Sequence, residues 1–231
     1  MPVKRPHTTL IISQTADGCL ISSDSSAYDK FPEWKNTPFI RALLQQFFEF
    51  TSASPHAASL INATMLIKAG VEQTHTPSRS NLNLIILDPQ ALLSTSALNY
   101  LSLSTKKLII VSSHHHNTIP KNKNLFQLKI NKNKLNLEVV LINLYKVFRI
   151  HEIYIQSSGP QNRIWLETEL LDDLTIITHP VIAGPNGASF ILPPEIKFIP
   201  LALRLISTKI FDDHYLISRY SLVYQDEFPT K

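Results

Sequence analysis

The sequence predicts an α/β domain whose central sheet is mixed but mostly parallel, flanked by helices and closed by a C-terminal antiparallel strand pair. Three observations carry this. Short apolar runs at residues 9–13, 59–63, 82–87, 108–111, 153–156 and 174–178 are nearly continuous rather than alternating, as strands covered on both faces are. Segments of helical periodicity lie between them. Two longer stretches rich in Ile, Leu, Tyr and Phe, 198–210 and 214–224, then meet at Asp212-Asp213, which reads as the turn of an antiparallel pair.

The helices follow from caps and spacing. Thr37-Pro38 offers an N-cap and then proline at the first helical position, where a missing N–H costs nothing. That helix runs through Phe39, Leu43, Leu44, Phe47 and Phe48. A second begins at Asn136 and sets Leu137, Val140, Leu141, Leu144 and Phe148 on one face. A shorter one covers 164–170. Residues 75–81 and 113–124 read as surface loops rather than linkers, so residues 1–231 are expected to form one domain.

Composition narrows the class. Apolar residues make up 44% of the 231, enough for a sizeable core, and the 5 glycines leave few flexible phosphate-cradling turns. No apolar run approaches the roughly 18 residues that span a bilayer, and Met1-Pro2-Val3-Lys4-Arg5 has no apolar stretch behind its charges. Cys19 is the single cysteine, which rules out an internal disulfide and a cysteine-based metal site. A soluble cytoplasmic protein with no membrane partner is expected.

The net charge of +4 is unevenly spread. Residues 106–149 carry nine Lys/Arg against Glu138 alone, or +8, whereas 150–231 carry six against ten acids, or −4. The basic block reads as a solvated lysine-rich loop around Lys121, Lys123, Lys132 and Lys134. No stacking aromatics are interleaved with those lysines, so nucleic acid is not an expected partner.

Several chemistries have no anchor. Gly-x-Gly-x-x-Gly, Walker and Gly-x-Ser-x-Gly motifs are all absent, which disfavours a doubly wound dinucleotide domain and a serine hydrolase. His114-His115-His116 reads as a polar loop, since adjacent side chains diverge and a metal wants convergent ligands; no metal is expected. His179, before Pro180, reads as a locally hydrogen-bonded histidine, Asp172-Asp173 as a solvated step into a strand, and Trp165 as a packing anchor.

Three stretches carry a resemblance. The first is Arg5-Pro6, a strand, and then Thr15-Ala16-Asp17-Gly18. The second runs from Glu152-Ile153-Tyr154-Ile155-Gln156-Ser157-Ser158-Gly159-Pro160 to Leu171-Asp172-Asp173-Leu174, and on through His179-Pro180-Val181-Ile182-Ala183-Gly184. The third is Ile61-Asn62-Ala63-Thr64-Met65. Together they resemble the pyrimidine reductases of riboflavin biosynthesis, in the dihydrofolate-reductase-like superfamily. Members open with Arg-Pro, a strand and Ser-x-Asp-Gly. Later they run a strand into Glu-Gly-Gly, a helix, an acidic Val-Asp-Glu-Leu step and a strand ending Pro-Val-Leu-Gly-Gly. The matches keep their order over most of residues 5–190.

The departures are specific. Gln156-Ser157-Ser158-Gly159 stands where the family has Glu-Gly-Gly, so an acidic side chain becomes neutral and one glycine remains. Asn62 stands where a glycine is usual, and Met65 or Leu66 near the expected Thr. Glycines there let backbone N–H groups approach dinucleotide phosphates unobstructed.

The resemblance implies a dihydrofolate-reductase-like fold and NADPH-dependent reduction of a phosphorylated ribosylaminopyrimidine, with hydride delivered to the imine carbon of the opened ribosylamino group. It implies Asp17 as the catalytic polar group, and Thr15, Trp34 and Gln156 on the substrate side. Gln14, Asn62 and Thr64 would meet the cofactor, and Ser157, Ser158 and Gly159 its phosphates. A homodimer through sheet-edge pairing of 198–210 and Tyr215–Val223 is also implied, and with no zinc deaminase domain preceding it, the reductase half alone is expected. Two readings stay open: an active reductase, and a non-catalytic or repurposed member with a degenerate cofactor site that binds another ligand or partner.

Overall fold

The computed structural model describes residues 4–20, 54–68, 79–114, 116, 119–130, 135–157, 159–182, 184, 201–211 and 215–224. These divide between two compact units, one drawn from residues 1–7 and 41–156 and the other from 8–40 and 157–231. Strand β1 (His7–Thr15), apart from its first residue, belongs to the second unit.

The first unit is a parallel α/β layer. In chain order it holds β2 (Ala57–Asn62), α1 (Ala63–Lys68), β3 (Asn83–Leu87), α2 (Thr95–Ser104), β4 (Lys107–Ser112), β5 (Leu125–Lys129), α3 (Leu137–Lys146) and β6 (Glu152–Gln156). The strand order is β5-β4-β3-β2-β6, and every pair is parallel. Parallel strands covered on both faces need unbroken apolar sequence, and Leu84-Ile85-Ile86-Leu87 and Leu108-Ile109-Ile110-Val111 are buried throughout. Leu84, Ile86, Leu108 and Ile110 share one core cluster with Ala97, Leu98 and Leu101 of α2. Each such Leu or Ile withdrawn from water stabilises the unit by about 1.5–3 kcal/mol.

Polar caps fix the helices. Ser94 Oγ accepts the Ala97 N–H at 3.1 Å to start α2, and Asn136 Oδ1 accepts the Val139 N–H at 3.1 Å to start α3. Of the face expected of α3, Leu137, Val140, Leu141 and Leu144 are buried, whereas Phe148 lies past the helix end and is half-buried. Asn83 Nδ2 donates to the carbonyls of Pro55 and Ala57, tying the start of β3 to that of β2.

The second unit combines β1 with α4 (Gly159–Glu167), β7 (Asp173–His179), β8 (Ala202–Phe211) and β9 (Tyr215–Val223), in strand order β1-β7-β9-β8. β1 and β7 run parallel, pairing Leu10 with Leu174 and Thr15 with His179. β7–β9 and β8–β9 are antiparallel, and the register slips between Leu205 and Ser207. Trp165 is buried, as expected of a packing anchor. The strands are thus mixed and mostly parallel, with the anticipated antiparallel pair at the C-terminal end.

Three elements were not anticipated: α1, α2 and β5. Helix α4 also starts five residues before the expected position, at Gly159 rather than 164. Two polar stretches differ from expectation. Asp172 is half-buried and Asp173 buried, so the acidic step is part of the packing, and His116 is buried rather than solvated. The helix expected over 37–48, Trp34, Ser158, His115, Lys132, Lys134 and the turn Asp212-Asp213 lie outside the described residues.

Candidate functional site

The end of β1 builds the most organised polar group of the second unit. Gly18, at φ +82°, turns the chain, and its N–H donates to Thr15 O at 3.0 Å. Thr15 is buried; its N–H donates to Cys19 O at 2.8 Å, and its hydroxyl accepts the Cys19 N–H at 3.0 Å. That hydroxyl donates to Asp17 Oδ1 at 2.5 Å. The other carboxylate oxygen, Asp17 Oδ2, accepts the Gly184 N–H at 2.8 Å. Gly184 has φ +70° with nothing within 4 Å of a Cβ position, and the nearby Ala16 N–H donates to Val181 O at 2.8 Å. An exposed carboxylate is therefore held at both oxygens by the ends of β1 and of the segment after β7. Such a group can orient a polar ligand atom or hold a proton beside it.

Gln14 does not point freely to a ligand. It pairs with Thr178 in the β1–β7 register, and its Nε2 donates to Thr178 Oγ1 at 3.4 Å. His179, opposite Thr15, is buried with its ring edge-on to Tyr215 at 5.3 Å. Burial lowers its pKa to about 3, so it stays neutral across the physiological range.

The start of α4 is the second feature of this unit. Ser157 Oγ donates to Asn162 Oδ1, and Asn162 is fully buried. Its Nδ2 is buried with no hydrogen-bond partner among the described residues. The first turn of α4, which opens at Gly159, contains no acidic residue. The helix dipole and a spare amide donor are the chemistry that an anionic group such as a phosphate uses.

In the first unit, Asn62, Gln156 and Asp88 stand at the carboxyl ends of parallel strands. Asn62 is buried beside Leu87, and Gln156 pairs with Ile61. Thr64 is exposed on the first turn of α1. Asp88, a carboxylate directly after the apolar run of β3, is fully buried. Its Oδ1 accepts the Leu92 N–H at 2.8 Å, its Oδ2 accepts the Leu93 N–H at 3.0 Å, and His116 Nε2 lies 3.4 Å from Oδ2. The Asp88-Pro89 step after an apolar strand was the available signal for this turn. Nothing in the sequence announced Asn162.

No protein-family model matches the chain, and no curated protein matches its sequence. Solved structures do. Acinetobacter baumannii RibD superposes with a TM-score of 0.67 at 16% identity, over 95% of this chain and 59% of that one. The diaminohydroxyphosphoribosylaminopyrimidine deaminase/5-amino-6-(5-phosphoribosylamino)uracil reductase of Thermotoga maritima gives 0.68 at 16% identity, covering 95% and 57%. The Saccharomyces cerevisiae riboflavin biosynthesis reductase Rib7 gives 0.62 at 12% identity, covering 95% and 90%. The chain thus spans less than two thirds of the length of the Acinetobacter and Thermotoga proteins and most of the length of Rib7. At these identities the likeness establishes the fold: this chain has the fold of the riboflavin-biosynthesis reductases.

Proposed function

We propose that this protein is an NADPH-dependent reductase acting on a phosphorylated ribosylaminopyrimidine or a close relative of it. One observation carries the reading. The Thr15–Asp17–Gly184 arrangement supplies a fixed, exposed carboxylate at the end of β1, in the fold on which the reductases named above are built.

The residues at the start of α4 fit the cofactor's anionic part. Gly159, the acid-free first turn and the spare Asn162 amide would hold a phosphate, and Ser158 is assigned to it by position alone. Asn62 and Thr64 are assigned to the cofactor, and Gln156 and Trp34 to the substrate, by position alone. Gln14 supports the site through Thr178. Bound NADPH supplies the hydride, and reduction of a C=N group also needs a proton at nitrogen. Asp17 binds and orients the polar group next to that nitrogen, and Thr15 keeps the carboxylate in place.

The supporting test is calorimetric titration with NADPH and NADH, followed by NADPH oxidation with candidate ribosylaminopyrimidines. Preferential NADPH binding and substrate-dependent oxidation are expected. Absence of heat at millimolar cofactor overturns the reading.

A second reading rests on its own observation. Ser157 spends its hydroxyl on Asn162, and Gln156 is neutral, so in this reading the turn serves a different anion in a non-catalytic protein. Turnover of NADPH with substrate excludes it.

The same proposal includes a homodimer. β8 ends the strand order of its unit and exposes Leu203, Leu205, Ile206 and Ile210, a row of apolar side chains suited to a second copy. A monomer by sedimentation at micromolar concentration overturns this part. We assign the protein to the cytoplasm, in keeping with a single free cysteine; no helix among the described residues is long and apolar enough to cross a membrane.

A further inference from the structure

The basic block of residues 106–149 has no role in the reductase reading, and the fold gives it a definite location. Strand β5 lies at the end of the first unit's strand order, and no strand among the described residues pairs with its outer edge. An unpaired edge presents a row of backbone donors and acceptors to any extended chain that approaches. Lys121, Lys123 and Lys129, before and at the end of β5, are exposed, as are Lys106, Lys146 and Arg149.

Apolar surface accompanies these charges. Phe126 of β5 is 39% exposed and meets Phe148 edge-on at 5.8 Å, and Val147 beside Phe148 is 65% exposed. Lys107 Nζ sits 6.0 Å from the centroid of the Phe126 ring and donates to Phe148 O at 3.4 Å. Edge lysines alone are explained as protection against self-pairing. That role requires no exposed Phe and Val among them, and it excludes a second copy of this edge, since like charges would face each other.

The remaining choice is among polyanions. Base stacking needs an open aromatic face. Lys107 lies over Phe126 and Phe148 meets it edge-on, so this ring is a poor platform for a nucleotide. An extended acidic polypeptide can use all three features at once: edge backbone groups, lysines and an apolar contact.

We propose that the outer edge of β5 is a docking edge for an extended acidic polypeptide segment, which adds as a further strand with acidic side chains over Lys121 and Lys123 and an apolar side chain against Phe126. This inference is independent of the reductase reading.

The test uses the full chain and fluorescein-labelled dodecapeptides read by anisotropy. An alternating Glu-Val peptide is expected to bind, more weakly as salt is raised. The same peptide N-methylated at alternate residues loses binding, because edge pairing needs those N–H groups. The double variant Lys121→Glu/Lys123→Glu weakens binding about tenfold or more, and Phe126→Ser weakens it as well. The exposed lysine pair keeps the test sound if Phe126→Ser unfolds, which a thermal melt reports. Failure of the Glu-Val peptide to bind, indifference to N-methylation, or indifference to the lysine reversal overturns the proposal. So does tighter binding of an oligothymidylate or of phosphatidylserine vesicles than of the peptide.

Discussion

Asp172 and Thr8 are joined in both directions: the Thr8 N–H donates to Asp172 Oδ2 at 2.7 Å, and the Asp172 N–H donates to Thr8 O at 3.0 Å. The Thr8 hydroxyl also donates to Leu170 O and, at 3.1 Å, to Asp172 Oδ2. The pair sits just before the first β1–β7 partners, Thr9 and Asp173, and so fixes the register in which Thr15 meets His179. A slip of one residue would turn every side chain of β1 to the opposite face.

Replacing the carboxylate therefore leaves the buried Thr8 N–H without its acceptor, while the Thr8 hydroxyl keeps Leu170 O. Asp172→Ala is expected to cost about 2–3 kcal/mol in urea unfolding, and Asp172→Asn, which keeps one acceptor oxygen, clearly less. Equal stability of Asp172→Ala and the parent chain would show that the clamp does not set the register.

Asp88 is the corresponding anchor in the first unit. Its two oxygens stop the chain after β3 by accepting the Leu92 and Leu93 N–H groups, and it is the charged neighbour of buried His116. Asp88→Ala leaves both N–H groups without their acceptor and removes the carboxylate beside the imidazole, with an expected loss of about 3 kcal/mol. The double variant Asp88→Ala/His116→Phe should recover part of it, and a melting series on the two variants checks this.

These anchors mark where the sequence was readable and where it was not. Leu84–Leu87 and Leu108–Val111 were legible because burial on both faces demands unbroken apolar runs, and α3 because Asn136 caps a clear apolar stripe. β5 was hidden because an edge strand is half-exposed, and Leu125-Phe126-Gln127-Leu128-Lys129 merges with the lysine-rich loop before it. α2 was hidden because its serines dilute the apolar stripe, although Ser94 carried a cap signal. The turn at Asp17-Gly18 was legible from Asp-Gly after an apolar strand, whereas a site role for Asp17 comes from the resemblance alone. The tether from Asp17 to Gly184 and the buried Asn162 depend on the loop partners that the fold brings together, and local pattern does not encode those.

His179 gives a prediction with a definite sign. Burial lowers its folded pKa from 6.5 to about 3, so between these values the unfolded chain binds the extra proton. The stabilisation from keeping this histidine neutral is complete above pH 6.5 and is lost progressively as pH falls towards 3. His179→Phe, which keeps an aromatic ring edge-on to Tyr215, should flatten this acid limb. Unfolding free energies of both chains at pH 7, 6, 5 and 4 test it through their difference, which cancels the carboxylates titrating in the same range. A constant difference would mean that His179 is protonated in the fold or equally shielded in the unfolded chain.

The carboxylate of Asp17 is held from two sides, and the two tethers predict different kinetics. Thr15→Val removes the hydroxyl that donates to Oδ1 and accepts from Cys19, so the carboxylate loses that tether and keeps the Gly184 N–H. Thr15→Ser retains the hydroxyl and should behave like the parent. If Asp17 orients the reacting group, Asp17→Ala lowers kcat about 10²-fold or more. Thr15→Val lowers it less, Thr15→Ser restores it, and NADPH affinity is unchanged in all three. Gly184→Ala keeps the N–H and meets no atom at its Cβ, but its φ of +70° costs about 1–2 kcal/mol for a side-chain-bearing residue. It should lower the melting temperature and shift the carboxylate, reducing kcat more than it raises KM. Steady-state NADPH oxidation by the four variants, beside their melts, separates the roles. Loss of kcat in Thr15→Ser equal to that in Thr15→Val would assign Thr15 to packing rather than to the orientation of Asp17.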